Sequence, residues 1–212
     1  MTIVLEERPA AATTCVDPRF TRSKQALESA LIELMEEKGF DAITVNDLCV
    51  RAGLNRGTFY NHYHDKEALL VELENTLLAD LACFETSLRG IEVRDLVRFR
   101  VAKRPIPSLV KLFDSLRDHG PFLHAALGPG GDPSFGPKLR DAVFNDLVMS
   151  VLNEHYRSDP TPFVSYYVSF YASAYLGVIT RWVETGMKES SEDMARIAMR
   201  LLFIRPGESI EL

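Results

Sequence analysis

Apolar residues recur at steps of three and four along most of this chain, as in Leu27, Ala30, Leu31 and Leu34, and again in Leu70, Leu73, Leu77, Leu81 and Phe84. No sustained period-two stretch interrupts them. Such spacing lays one apolar stripe along a helix and cannot serve a half-buried strand, so it commits the chain to an all-α fold. Stop and start signals then divide it. Gly39 closes a first helix after Lys38, and Thr44 with Asp47 three residues on reads as a capping box opening a short second helix that Gly53 ends. Asn55 caps a third helix, and Asp65 caps a long fourth from Lys66 towards Leu88, its acidic first turn matched to the helix dipole. Further on, Asp95 to Ala102, Ser108 to Asp118, Lys138 to Tyr156, Thr161 to near Glu184 and Ser190 to near Phe203 read as helices. His119-Gly120-Pro121 reads as a helix end, and Gly128-Pro129-Gly130-Gly131-Asp132-Pro133 as the clearest loop. The expectation is about nine helices and no strand: a flexible tail over 1–18, a small helical domain over 19–67 and a larger one over 68–212.

At 212 residues and 46% hydrophobic content, such a chain can bury a sizeable core. Its longest apolar runs are broken by charge too early to span a membrane. Met1 to Ala12 carries Glu6 and Glu7 where a leader would need a basic start, so a cytoplasmic protein is expected. The three cysteines, Cys15, Cys49 and Cys83, form no CxxC step and have no histidine nearby to complete a zinc site. Cys49 and Cys83 are expected to be small apolar fillers on helices. A net charge of −6 argues against nucleic acid, since phosphate contacts come from Lys and Arg. Residues 19–67 alone carry seven Lys or Arg against eight Asp or Glu, a net of −1. Any nucleic-acid surface there must arise from segregation of charge.

Residues 52 to 69, AGLNRGTFYNHYHDKEAL, give that segregation a place. Helix, glycine turn and helix from Thr44 to Tyr63 is a helix-turn-helix pattern. Cys49 is the small residue four before Gly53, Gly53 takes the strained turn, and Leu48, Leu54 and Phe59 tie the pair down. On a helical wheel, Phe59 and Tyr63 share the face turned to the core. Gly57 and Asn61 lie opposite, flanked by Thr58 and Tyr60. A glycine on that outer face lets the backbone approach a groove. The hydroxyls of Thr58 and Tyr60 can reach phosphates or base edges, Asn61 can read a base, and Arg56 can bond a guanine or a phosphate.

The stretch ITVNDLCVRAGLNRGTFYNHYHDKEALL, residues 43 to 70, resembles the DNA-binding domain of the TetR family of bacterial transcriptional regulators. The resemblance covers about 45 residues if the first helix is included. It implies an all-α homodimer whose N-terminal three-helix domain joins, through the fourth helix, a divergent C-terminal ligand-binding domain. It also implies repression of a double-stranded DNA operator, relieved by a small molecule. Residue by residue, the resemblance implies DNA contacts for Thr58, Tyr60 and His62, a phosphate grip for Lys66 at the start of the fourth helix, and a phosphate contact for Thr44. Positions Asn55, Arg56 and Asn61 would set sequence preference. The sequence departs from the family pattern at Tyr63, where phenylalanine is usual, and at Asn55, where serine is common. His62 also lies near the edge of the core face, where a packed histidine is the alternative. Arg19 and Arg22, ahead of the first helix, can touch a phosphate or stand as a solvated helix start.

In the C-terminal part, five Tyr or Phe fall within ten positions from Tyr166 to Tyr175. Val164, Tyr167, Val168, Tyr171, Tyr175, Val178 and Trp182 form one stripe, while Phe163, Tyr166, Phe170, Ser173, Gly177 and Thr180 form a second. A helix apolar on two faces must be covered on two sides. With Ile197 and Leu201 on the last helix, Phe170, Ser173 and Gly177 resemble the helix pair by which the family dimerises, an isologous interface that predicts a palindromic operator. Phe113, Leu116, Phe122, Phe144, Tyr167 and Tyr171 are candidates for lining a pocket for an apolar or aromatic effector.

No enzyme is expected, because GxSxG, HExxH and the GKS or GKT of a phosphate loop are all missing. Histidines 62, 64, 119, 124 and 155 show no paired metal spacing outside the DNA motif, and no cofactor is called for. The alternative function is a helical protein-interaction module or co-regulator without direct DNA binding. An activator in place of a repressor is also open.

Overall fold

A computed structural model describes residues 17–89, 104–143 and 161–201, and every element in those residues is helical. The first helix, α1 (Pro18–Lys38), opens on Asp17, whose carboxylate accepts from the Arg19 N–H, and buries Leu27, Ala30, Leu31, Leu34 and Met35. A short 3-10 turn, Phe40–Ala42, leads to α2 (Val45–Ala52) and α3 (Arg56–His62). The fourth helix, α4 (Lys66–Ala82), is capped by Asp65, whose side chain accepts from Ala68 N–H at 2.7 Å.

The capping box at Thr44 is present in both directions: Asp47 N–H donates to the Thr44 hydroxyl, and Thr44 N–H donates to the Asp47 carboxylate at 2.9 Å. Lys38 and Thr44 together hold that carboxyl well below the usual carboxylate range. Gly53 ends α2 at φ 66° and ψ 31°, a left-handed conformation in which a side chain would be strained.

Beyond α4 the structure departs from the sequence pattern in three places. The fourth helix stops at Ala82 instead of running to Leu88, and a separate short helix, α5 (Glu85–Arg89), follows. Cys83 lies in that break and is exposed, so it is no apolar filler, whereas Cys49 is buried as expected. After α6 (Pro107–Asp118) comes a helix that the sequence did not announce, α7 (Gly120–Leu127), and α8 (Phe135–Ala142) begins ahead of the expected Lys138. The expected helix at Asp95 to Ala102 and the remainder of the one to Tyr156 lie outside the described residues.

The long aromatic helix is α9 (Pro162–Glu184), capped by Thr161, and α10 (Ser191–Leu201) follows. One continuous core runs from Leu27 and Phe59 through Leu77, Leu116 and Phe135 to Trp182 and Met194. Trp182 meets Phe113 edge to face at 5.6 Å, lies under Arg117, and donates its indole N–H to Glu189 O at 3.1 Å. No described helix is long and apolar enough to cross a membrane.

Candidate nucleic-acid interface

Helix α3 is seven residues long, too short to persist alone, and Phe59 is its one buried side chain. Phe59 and Tyr63 face inward as the wheel predicts, their ring centroids 6.0 Å apart, and burial together with Glu72 pushes the Tyr63 phenol up. On the other side, Arg56, Gly57, Tyr60 and Asn61 are exposed, Tyr60 by 58%. Asn55 caps the helix, its Oδ1 accepting from Thr58 N–H at 2.8 Å and from the Thr58 hydroxyl at 3.1 Å. A Cβ at Gly57 would come within 3.2 Å of that same oxygen. The glycine therefore protects the cap as well as opening the outer face.

Charge is segregated, as the composition required. Lys24 pairs with Glu72 at 2.5 Å and Lys38 with Asp47 at 2.7 Å, while Arg51 bridges Glu33 and Glu37 at 2.9 and 2.6 Å. These pairs are taken up inside the domain, tying α1 to α2 and α4. Arg19, Arg22 and Arg56 are exposed and pair with no described residue, so they hold the positive charge still available to a phosphate.

Four of the residues assigned to DNA by resemblance, Thr44, Thr58, His62 and Lys66, also have side chains with partners among the described residues. Lys66 Nζ donates to Phe40 O at 2.9 Å and Asp41 O at 3.1 Å and sits 4.6 Å over the Phe40 ring. That clamps the turn after α1 to the start of α4 and leaves one ammonium proton for a phosphate. His62 turns towards α1: its Nε2 lies 2.7 Å from Ser23 Oγ and its ring packs 4.0 Å from Phe20. Burial, with Lys24 nearby, pulls its pKa below the ordinary histidine value. Thr44 is exposed, with its hydroxyl also donating to Asp47 at 2.7 Å. Sequence reasoning missed the Phe20 and Ser23 contacts, for which the only signal was an apolar residue in the first turn of α1.

The glycine loop after α7 is not a free surface loop. Gly130 O accepts from Phe40 N–H at 2.8 Å, and a Cβ at Gly130 would fall 2.9 Å from Gly39 Cα. The loop is thus keyed into the same turn that Lys66 holds. His124 Nδ1 reaches Glu36 at 2.5 Å and His119 Nε2 reaches Asp80 at 2.8 Å, so two further contacts join α1 and α4 to the later helices. A cleft of about 470 Å³ lies beside this junction, between the end of α1, the glycine loop and the end of α9.

None of the expected effector residues that are described lines that cleft. Phe113, Leu116 and Phe122 are buried core side chains, Phe122 packing 5.5 Å from Phe135. The Tyr167 and Tyr171 rings lie 4.6 Å apart along α9, tilted by 49°, and Phe144 lies outside the described residues. Of the expected dimer residues, Phe170, Ser173, Gly177 and Leu201 are exposed and Ile197 is partly buried against the core. Phe163, Tyr166 and Phe170 are 76%, 78% and 67% exposed, while Val164, Val168, Ala172 and Trp182 on the opposite face are buried. A Cβ at Gly177 would meet nothing within 4 Å.

Residues 23–73 match the family model for bacterial regulatory proteins of the tetR family, and residues 103–203 match a transcriptional regulator C-terminal region of TetR type. An uncharacterised HTH-type transcriptional regulator of Bacillus subtilis (strain 168), YxbF, is 22% identical over 191 residues, covering 90% of this chain and 47% of that protein. The chain spans less than half the length of the curated relatives it matches. Among solved structures, a TetR transcriptional regulator from Streptococcus agalactiae 2603V has a TM-score of 0.56 at 23% identity, covering 88% of this chain and 96% of that one. The dihydroxyacetone kinase operon activator DhaS has a TM-score of 0.54 at 18% identity, covering 85% and 93%. These two likenesses concern the fold.

Proposed function

The chain belongs to the TetR family of DNA-binding transcriptional regulators, and we propose that it acts as a homodimeric repressor of a palindromic operator, released by a small apolar or aromatic effector. The observation that carries this is the outer face of α3, where Arg56, Gly57, Tyr60 and Asn61 are exposed together while nearby cations are paired off. In the groove, Arg56 and Asn61 read base edges, Tyr60 and Thr58 bond phosphates or bases, and Asn55 offers its amide N–H groups while its oxygen holds the cap. Thr44 and the remaining proton of Lys66 add backbone contacts.

Dimerisation is supported by the uncovered aromatic face of α9. Large exposed apolar patches on soluble proteins mark contact surfaces, and Ser173 and Gly177 allow a second copy of α9 to approach closely. The effector is taken up by the C-terminal part, where Tyr167 and Tyr171 set two aromatic rings 4.6 Å apart along α9.

Fluorescence anisotropy with a duplex from upstream of the gene tests this reading, alongside light scattering for mass. Tyr60→Ala and Arg56→Ala are each expected to weaken binding by about 1–3 kcal/mol, that is roughly 5- to 150-fold. Phe170→Asp is expected to give a folded monomer with much weaker operator binding. A wild-type monomer, or binding indifferent to both α3 changes, overturns the reading.

A further inference from the structure

We propose that the first turn of α1 is a separate DNA-contacting element, in which Arg19 and Arg22 grip operator phosphates, and that His62 is the positioning residue that locks this turn to the recognition helix. The proposal rests on α3 entering the major groove. A helix with its side chains is about 10–12 Å across, and the major groove is about 12 Å wide. The recognition helix therefore fills the groove, and whatever packs on its flank lies over the groove wall, where the phosphates are.

The first turn of α1 is built onto that flank. Phe20 covers the His62 ring with centroids 4.0 Å apart. The Ser23 hydroxyl lies 3.0 Å from the carbonyls of both Arg19 and Phe20 and 2.7 Å from His62 Nε2. With the hydroxyl proton given to one of those carbonyls, Ser23 Oγ accepts from Nε2–H, and the imidazole is tied to the backbone of the turn. Arg19 and Arg22 stand three residues apart on this turn, so they share a face. Asp17 turns its carboxylate back onto the Arg19 N–H, and Lys24, one turn further on, is held by Glu72. The two guanidinium groups are left as the exposed cations of the turn.

This gives His62 a role different from the one its resemblance implies. It contacts no phosphate itself but decides where two arginines stand, an arrangement that a salt titration can distinguish. Each phosphate neutralised by a cation adds about 0.9 to the slope of log K against log salt, whereas a neutral contact adds nothing.

The test measures anisotropy on a random-sequence duplex and on the upstream duplex across a range of salt, with thermal unfolding as the check on folding. For a dimer with four arginines engaged, the Arg19→Gln/Arg22→Gln double variant is expected to lower the slope by about 3.6 and the affinity on both duplexes by roughly tenfold or more. His62→Ala is expected to lower the slope similarly although it removes no charge, and His62→Gln, which retains an N–H donor, to restore part of it. If His62→Ala disturbs folding, Ser23→Ala, which deletes only the hydroxyl, takes its place. An unchanged slope in the double variant overturns the arginine contacts. Weakened affinity at unchanged slope in His62→Ala overturns the positioning role and makes His62 a direct contact. Wild-type protein that binds neither duplex overturns the DNA-binding reading together with this one, whereas tight random-duplex binding without operator preference leaves this inference standing and removes the repressor.

Discussion

Phe59→Ala is expected to abolish operator binding and to destabilise the fold by about 3–5 kcal/mol, the range for emptying a buried aromatic site. The cost is high because Phe59 is fully buried and is the only buried residue of α3. A seven-residue helix has no stability of its own, so its orientation in the groove depends on that one anchor. A loss of this size is a large share of the 5–15 kcal/mol that holds an ordinary domain together. Phe59→Leu, which keeps most of the volume, is expected to retain binding. Circular dichroism during heating and anisotropy on the same duplex check both values. An alanine variant that melts like the wild type and binds within twofold would mean that α3 is held by something else.

The second large effect is expected at Gly130. A valine there would drive its Cβ to 2.9 Å from Gly39 Cα and 3.0 Å from Met35 O, both backbone atoms. Gly39 cannot easily yield, since its φ of 79° already depends on having no side chain. The loop must back away, breaking the bond from Phe40 N–H to Gly130 O and loosening the turn that Lys66 grips next to the recognition helix. Overpacking of this kind costs about 1–3 kcal/mol, roughly 2–12 °C in melting temperature for a chain of this length. Gly136→Ala provides the contrast, because a Cβ there would meet nothing within 4 Å and the position is helical. Equal melting temperatures for Gly130→Val and Gly136→Ala would show that the loop and the turn are not engaged in solution.

The DNA-binding half was legible in the sequence because its signals are local. Thr44 with Asp47, Gly53, Asn55 with Thr58 and Asp65 with Ala68 each act across three or four residues, and each takes the cap or turn expected of it. Helix α7 was missed for a physical reason. Gly120-Pro121 reads as a stop, yet proline fits the first turn of a helix, and with Phe122, Leu123, Ala125 and Ala126 all buried the one polar side chain, His124, is too little to mark a period. The break at Cys83 was invisible too, because the apolar spacing of Leu77, Leu81, Phe84 and Leu88 continues straight through it.

What remained illegible is tertiary. Composition identifies residues 128–133 as a loop but says nothing of its seat against Gly39. The position of His62 at the edge of the core face is compatible with a groove contact and with a packed ring, and only the crossing of α1 decides between them. Apolar spacing likewise does not separate a pocket wall from a core. Phe113 and Phe122 carry the pattern of either, and the structure packs them against Trp182 and Phe135.

In the proposed dimer, two copies of α3 read two half-sites. Footprinting of the purified protein on the DNA upstream of its gene measures this. The prediction is a protected region made of two inverted half-sites with centres a whole number of turns apart, about 10 bp each. Protection should fade as salt rises and be lost in Tyr60→Ala. Uniform protection without a boundary, or a single unpaired site that survives Tyr60→Ala, would contradict it.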